Sequence, residues 1–101
     1  MKFLFASDMS FYYIPVYPGD SAAEIVVSEV AEHFAQADFS IVNLETTLGI
    51  RENYAPIFKC GPNLMSSADF LHYINPLKPS VLGLANNHIG DYGEAAVYNT
   101  L

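Results

Sequence analysis

Val81-Leu82-Gly83-Leu84-Ala85, then Asn86-Asn87-His88-Ile89-Gly90, then Asp91-Tyr92-Gly93-Glu94, is the stretch that decides how this chain is read. Five apolar residues in a row have the pattern of a strand buried on both faces, as in a parallel sheet. Amides, an imidazole and a glycine then mark a turn. Asp91, with a carboxylate three residues on at Glu94, has the form of a helix start. The helix it opens runs to Asn99-Thr100-Leu101, barely three turns, with no stop signal. Strand, polar turn and helix together form the unit of an α/β fold.

Working outward, the same unit recurs. Phe3-Leu4-Phe5-Ala6 reads as a short buried strand stopped by Ser7-Asp8, and residues 9–20, with Pro15, Pro18 and Gly19, as a loop. Ser21-Ala22-Ala23-Glu24 has the capping-box form and predicts a helix to about Ala37. Its stripe of Ile25, Val26, Val30 and Phe34 faces a core. Phe39-Ser40-Ile41-Val42-Asn43-Leu44 is the second strand. Residues 46–64 are irregular, with Ile57-Phe58-Lys59-Cys60 as a short edge strand. A second helix begins around Ser66, turns Phe70, Leu71 and Ile74 inward, and ends at Asn75-Pro76, since the residue before proline avoids helical geometry. The expected fold is α/β, with largely parallel strands alternating with helices that cover the sheet on its faces.

Ligands of such sheets sit beyond the carboxyl ends of the strands. Each strand here runs into polar residues: Ser7-Asp8 after the first, Asn43-Leu44-Glu45-Thr46-Thr47 after the second, Asn86-Asn87-His88 and Asp91 after the third. If the strands are parallel neighbours, these groups converge on one rim. Oxygen and nitrogen donors of this kind suit hard or borderline divalent cations. Each position also has a plainer reading. Asp8 closes a strand, Glu45 is a solvated carboxylate, and the Asn86-Asn87-His88 turn uses the left-handed backbone that asparagine tolerates. For Asp91 a helix cap is favoured over a ligand. His33 and His72 read as exposed or packing residues and Cys60 as a small packed hydrophobe. Tyr12, Tyr13 and Tyr17 either line a cleft or, the better reading, pack against a covering half.

Composition narrows the partners. Only 15% of the residues are charged, against 51% hydrophobic, whereas average proteins carry roughly 25% charged residues. A chain this short has much surface to cover, so a missing C-terminal half or a partner, including a second copy in a homo-oligomer, is expected to cover part of it. The chain is therefore read as one α/β domain over 1–101, itself incomplete. A net charge of −7, with four scattered basic residues, repels a phosphate backbone and argues against nucleic acid. A single cysteine excludes an intrachain disulfide. The N-terminal apolar run is too short for a signal core or a membrane span. A soluble, cytoplasmic protein is expected, a removed leader aside.

Ala6-Ser7-Asp8, Asn43-Leu44-Glu45 and above all Leu84-Ala85-Asn86-Asn87-His88-Ile89-Gly90-Asp91-Tyr92-Gly93 resemble the motifs of the CapA-type capsule (poly-γ-glutamate) synthesis family, and Thr100-Leu101 matches the family's next run. The resemblance covers nearly the whole chain but only the N-terminal part of the family domain. That family is similar in fold to the calcineurin-like metallophosphoesterases, a sandwich of two sheets flanked by helices. The resemblance implies Asp8, Glu45 and Asn87 as metal ligands and His88 as a general acid or oxyanion contact. Asn43, Asn86 and Asp91 would bind substrate or support those ligands. It implies divalent ions such as manganese, zinc or iron. Two of them roughly 3.5–4 Å apart would activate water and clamp a phosphoryl or carbonyl group. It also implies a small-molecule or polyglutamate-type substrate, and hydrolysis or acyl transfer. The chain departs from the metallophosphoesterase pattern at Ser10, where a histidine is usual, and at Glu45, where an aspartate is usual. The later histidine motifs are absent from it. A non-catalytic binding or assembly module, or an inactive truncated fragment, stands as the alternative.

Overall fold

A computed structural model describes residues 1–10, 19 and 21–101. The expectations for Tyr12, Tyr13 and Tyr17 lie outside the described residues. Three parallel strands form the main sheet: β1 (Phe3–Met9), β2 (Phe39–Leu44) and β5 (Val81–Gly83), in the order β1-β2-β5. A second, two-stranded parallel sheet joins β3 (Thr47–Leu48) to β4 (Met65–Ser66). The helices are α1 (Ser21–Ala35), α2 (Leu71–Ile74) and α3 (Gly93–Thr100). The fold is α/β with parallel strands, as the alternation of patterns implied.

Register follows from side-chain alternation. Ala6 lies opposite Val42, and Val42 opposite Leu82, so these share one face. That face carries the core. Leu44, Leu48, Phe70 and Ile74 form a buried cluster, with Met9, Leu82 and Leu84 packed against it. Two serines stitch the starts of β2 and β5: the Ser40 N–H donates to Ser80 Oγ, and the Ser80 N–H to Ser40 Oγ, each at 3.0 Å. Ser40 can thus be buried without an orphaned hydroxyl.

The opposite face differs from expectation. Phe3 pairs with Phe39, Phe5 with Ile41, and Ile41 with Val81. Phe3, Phe5, Phe39 and Val81 are all exposed, Phe5 at 73%. Helices among the described residues cover only the other side, so this parallel sheet has one bare apolar face. The stripe of α1 is likewise only partly inward. Ala23 is buried and Phe34 half-buried, but Ile25, Val26 and Val30 are exposed. Val26, Val27, Val30 and Phe34 instead line a cavity of about 300 Å³ whose other wall includes Ala6, Val42, Phe70 and Tyr73.

Other boundaries move for local reasons. Ser7-Asp8 does not end β1. The strand runs on to Met9 through a bulge between Ala6 and Asp8. Helix α1 has Ser21 as its first helical residue, near the expected start, and it ends at Ala35, with backbone bonds from Gln36 and Ala37 extending the last turn. Ile57–Cys60 is not a strand. The Ile57 N–H donates to Asp91 O at 2.8 Å, and Phe58 is fully exposed. Met65–Ser66 takes the pairing role instead. Ser66 therefore cannot start the second helix. Ser67 caps it, accepting from the Asp69 N–H, and a 3₁₀ turn, α2 and another 3₁₀ turn come after it. The tighter turns rotate Tyr73 inward beside Phe70 and Ile74 and leave Leu71 exposed. Pro76 sits inside the last 3₁₀ turn, which ends at Lys78 with φ 48°. β5 stops at Gly83, since the chain already turns with Asn86 N–H bonded to Leu84 O at 2.9 Å. Cys60 is exposed rather than packed.

Candidate functional site

Parallel pairing brings the polar ends of β1, β2 and β5 to one rim. The Asn43 amide nitrogen, on β2, donates to Asp8 Oδ1 at 2.8 Å and to Glu45 Oε2 at 2.6 Å. Its Oδ1 accepts from Asn86 Nδ2 at 3.1 Å, and that nitrogen also donates to Leu44 O at 2.8 Å. Asn86 Oδ1 in turn accepts from the backbone N–H groups of His88 and Ile89, at 2.9 and 3.1 Å. One asparagine thus shapes the turn through its side chain and ties it to the central strand. This corrects the left-handed reading of Asn86-Asn87-His88. Among the described residues only Lys78 has positive φ outside glycine. The side-chain bonds bend the turn without help from an unusual backbone.

His88 is anchored at one ring nitrogen and faces a carboxylate with the other. Nδ1 lies 2.7 Å from Asp91 Oδ2, and Nε2 lies 3.7 Å from Glu45 Oε1. Asp91 is 1% exposed. Its carboxylate accepts from the Leu64 N–H at 2.6 Å, forms a short ion pair with Lys59, and meets the imidazole. A carboxylate in those surroundings is an acceptor only, so Nδ1 carries the proton it donates to Asp91, and Nε2 faces Glu45. Burial would raise the pKa of Asp91. The hydrogen bonds from Lys59, His88 and the Leu64 amide, and the charge of His88, outweigh it and hold the carboxyl below its ordinary value.

Asp91 is therefore not the cap of α3, which corrects that expectation. The cap position is Tyr92, with no side-chain cap bond, and α3 begins at Gly93 with φ 78°. Asp91 is a hub whose side chain and backbone both serve the site. Its carbonyl accepts from Ile57 N–H and from Asn63 Nδ2. Helix α3 is anchored at its other end, where Asn99 donates to Leu48 O and Leu48 N–H donates to Thr100 Oγ1.

Of the residues singled out in the sequence, Asp8, Asn43, Glu45, Asn86, His88 and Asp91 lie in one connected network. Asn87 is exposed on the turn and joins none of these bonds. His33 and His72 are exposed, the latter edge-on to Tyr73. Lys59 and Asn63 were missed. They sit in the irregular segment before β4, and the usable signal was a lone lysine among the apolar residues Ile57-Phe58-Lys59-Cys60. A cation in such a run requires an acidic partner when it folds inward.

Two carboxylates converging on a single amide NH₂, a partly positive group, are an apt donor pair for a hard cation. They are only part of a ligand set: among the described residues no three of His, Cys, Asp and Glu are grouped so as to hold a metal ion. Among the same residues no helix is long and apolar enough to cross a membrane.

No curated protein sequence matches this chain significantly. The model of the bacterial capsule synthesis protein PGA_cap family matches residues 10–101. That span takes in Asn43, Glu45, Lys59 and the whole Asn86–Asp91 turn and leaves Asp8 just before it. With more than half its length matched, the chain belongs to the bacterial capsule synthesis protein PGA_cap family.

Proposed function

We propose that this chain serves capsule synthesis through a proton-transfer site at the carboxyl ends of its strands, as a hydrolase or acyl-transferase acting on a polyglutamate-type or small-molecule substrate. The observation that supports this reading is the disposition of His88. A buried carboxylate anchors one ring nitrogen while the other faces the Asp8–Asn43–Glu45 cluster. An imidazole oriented in that way passes a proton to or from a group placed beside its free nitrogen. Asn43 and Asn86 fix the floor of the site, holding Asp8, Glu45 and the His88 turn in place. Asp8 and Glu45, with Asn87, would hold a divalent cation such as manganese, zinc or iron. When bound, it would supply a Lewis acid for a carbonyl or phosphoryl oxygen.

The test pairs activity with binding. Hydrolysis of a chromogenic phosphoester and of a γ-glutamyl anilide is measured for the wild type, Asp8→Ala and His88→Ala, with manganese or zinc present. Loss of about 100-fold or more in His88→Ala is expected for a general acid or base. Full activity in both variants would end the enzymatic reading.

A non-catalytic binding or assembly module is the second reading, favoured by the incomplete ligand group among the described residues. Calorimetric titration separates the two. The enzymatic reading requires uptake of manganese or zinc that Asp8→Ala weakens. A binding module would hold its ligand with no metal uptake.

A further inference from the structure

Lys59 has no place in the proton-transfer scheme above, yet it touches the groups that orient it. Its Nζ forms an ion pair with Asp91 Oδ1 and lies 3.2 Å from His88 Nδ1. The side chain is 21% exposed while its partner is 1% exposed. Asp91 therefore divides its two oxygens. Oδ1 takes the ammonium, and Oδ2 takes both the Leu64 N–H and the imidazole.

We propose that Lys59 is a positioning residue for His88: by occupying Oδ1 it locks the Asp91 carboxylate so that only Oδ2 meets the imidazole, which selects the ring orientation and the Nδ1–H tautomer. The inference rests on the reading of His88 as the proton-transfer group. Lys59 and Nδ1–H are both donors, so their closeness is not a bond between them. It arises because both grip the same carboxylate. The loop carrying Lys59 is itself fastened to the hub. Ile57 N–H donates to Asp91 O, and Asn63 Nδ2 donates to both Ile57 O and Asp91 O. The ammonium is thus delivered from a segment fixed on each side of it. Without the cation, only the Leu64 N–H still fixes the carboxylate, and partial rotation about its broad terminal torsion tilts its oxygens off the line to the imidazole. The imidazole then loses the fixed direction of its acceptor.

The experiment is nitrogen-15 NMR of the full chain labelled at histidine, at a pH where imidazole is neutral, with His88 assigned by comparison with His88→Gln. The wild type should show one ordered tautomer protonated at Nδ1. Lys59→Met should move both ring-nitrogen shifts toward the tautomer average, and Lys59→Arg should restore the wild-type pattern. An unchanged Nδ1–H pattern in Lys59→Met overturns the proposal, as does failure of arginine to restore it in a folded chain. Should Lys59→Met fail to fold, the wild type provides a separate check. The Lys59 ammonium protons should exchange at least tenfold more slowly than those of Lys2 and show cross-peaks to the His88 ring. Exchange as fast as Lys2 overturns the proposal. None of these readouts uses turnover, so failure of the Lys59 contact to set the tautomer is distinguished from failure of the enzymatic reading, which shows as full activity in His88→Ala.

Discussion

Replacing Asp91 by alanine tests the central feature of this fold, a buried acidic hub. The side chain is 1% exposed and accepts from Lys59, His88 and the Leu64 amide. In Asp91→Ala the buried Leu64 N–H loses its partner, which costs about 1–3 kcal/mol. Breaking a buried ion pair by removing one member costs about 3–5 kcal/mol. Lys59, at 21% exposure, recovers part of that by turning to water. The net loss is then about 3 kcal/mol, a large share of the roughly 5–15 kcal/mol that holds a domain of this size. It corresponds to a fall in melting temperature on the order of 15 °C. Urea denaturation followed by far-ultraviolet circular dichroism measures it, with the slope unchanged if only the native state is affected. A loss below about 1 kcal/mol with unchanged slope would refute the hub, because neither the ion pair nor the amide bond would then be part of the folded chain.

The same hub predicts acid sensitivity. The folded-state pKa of Asp91 lies below its unfolded value, so its contribution is full above about pH 4 and is lost as the pH falls through the folded value. The stability gap between wild type and Asp91→Asn should narrow below about pH 4, and a gap that widens there contradicts the assignment. Asn86→Ala removes four side-chain bonds at the turn and should cost roughly 2 kcal/mol by denaturation, each bond being worth about 1 ± 0.5 with partial recovery by water. Phe5 is 73% exposed on the bare sheet face, so Phe5→Ser should leave thermal stability nearly unchanged. The wild type should sediment as dimers or larger species at micromolar concentration and the variant less so. A clean wild-type monomer would count against association through that face.

Much of the fold was legible because its signals are local. Apolar-rich runs at Phe39–Leu44 and Val81–Ala85 mark two of the three strands of the main sheet, and the polar residues after them mark the rim. Secondary structure set by contacts distant in sequence leaves no such local signal. Ile57–Cys60 has the composition of a strand, but its backbone is claimed by Asp91, which lies more than thirty residues further on. Asp91 has the spacing of a cap, but its carboxylate is drawn to Lys59 and the Leu64 amide. Periodicity reports the apolar side of α1 without saying how much of it another element covers.

The order of residues is enough to say that strands and helices alternate, that the strands run the same way, and that carboxylates, amides and an imidazole come after them. These features arise from hydrophobic period and turn chemistry, which act over a few neighbours. Which of those groups meet depends on packing: Asn43 bridges Asp8 and Glu45, Asp91 anchors His88, and Lys59 completes the anchor. A buried charge takes whichever partner the packed chain brings within reach, and that distance is a property of the fold rather than of any local pattern.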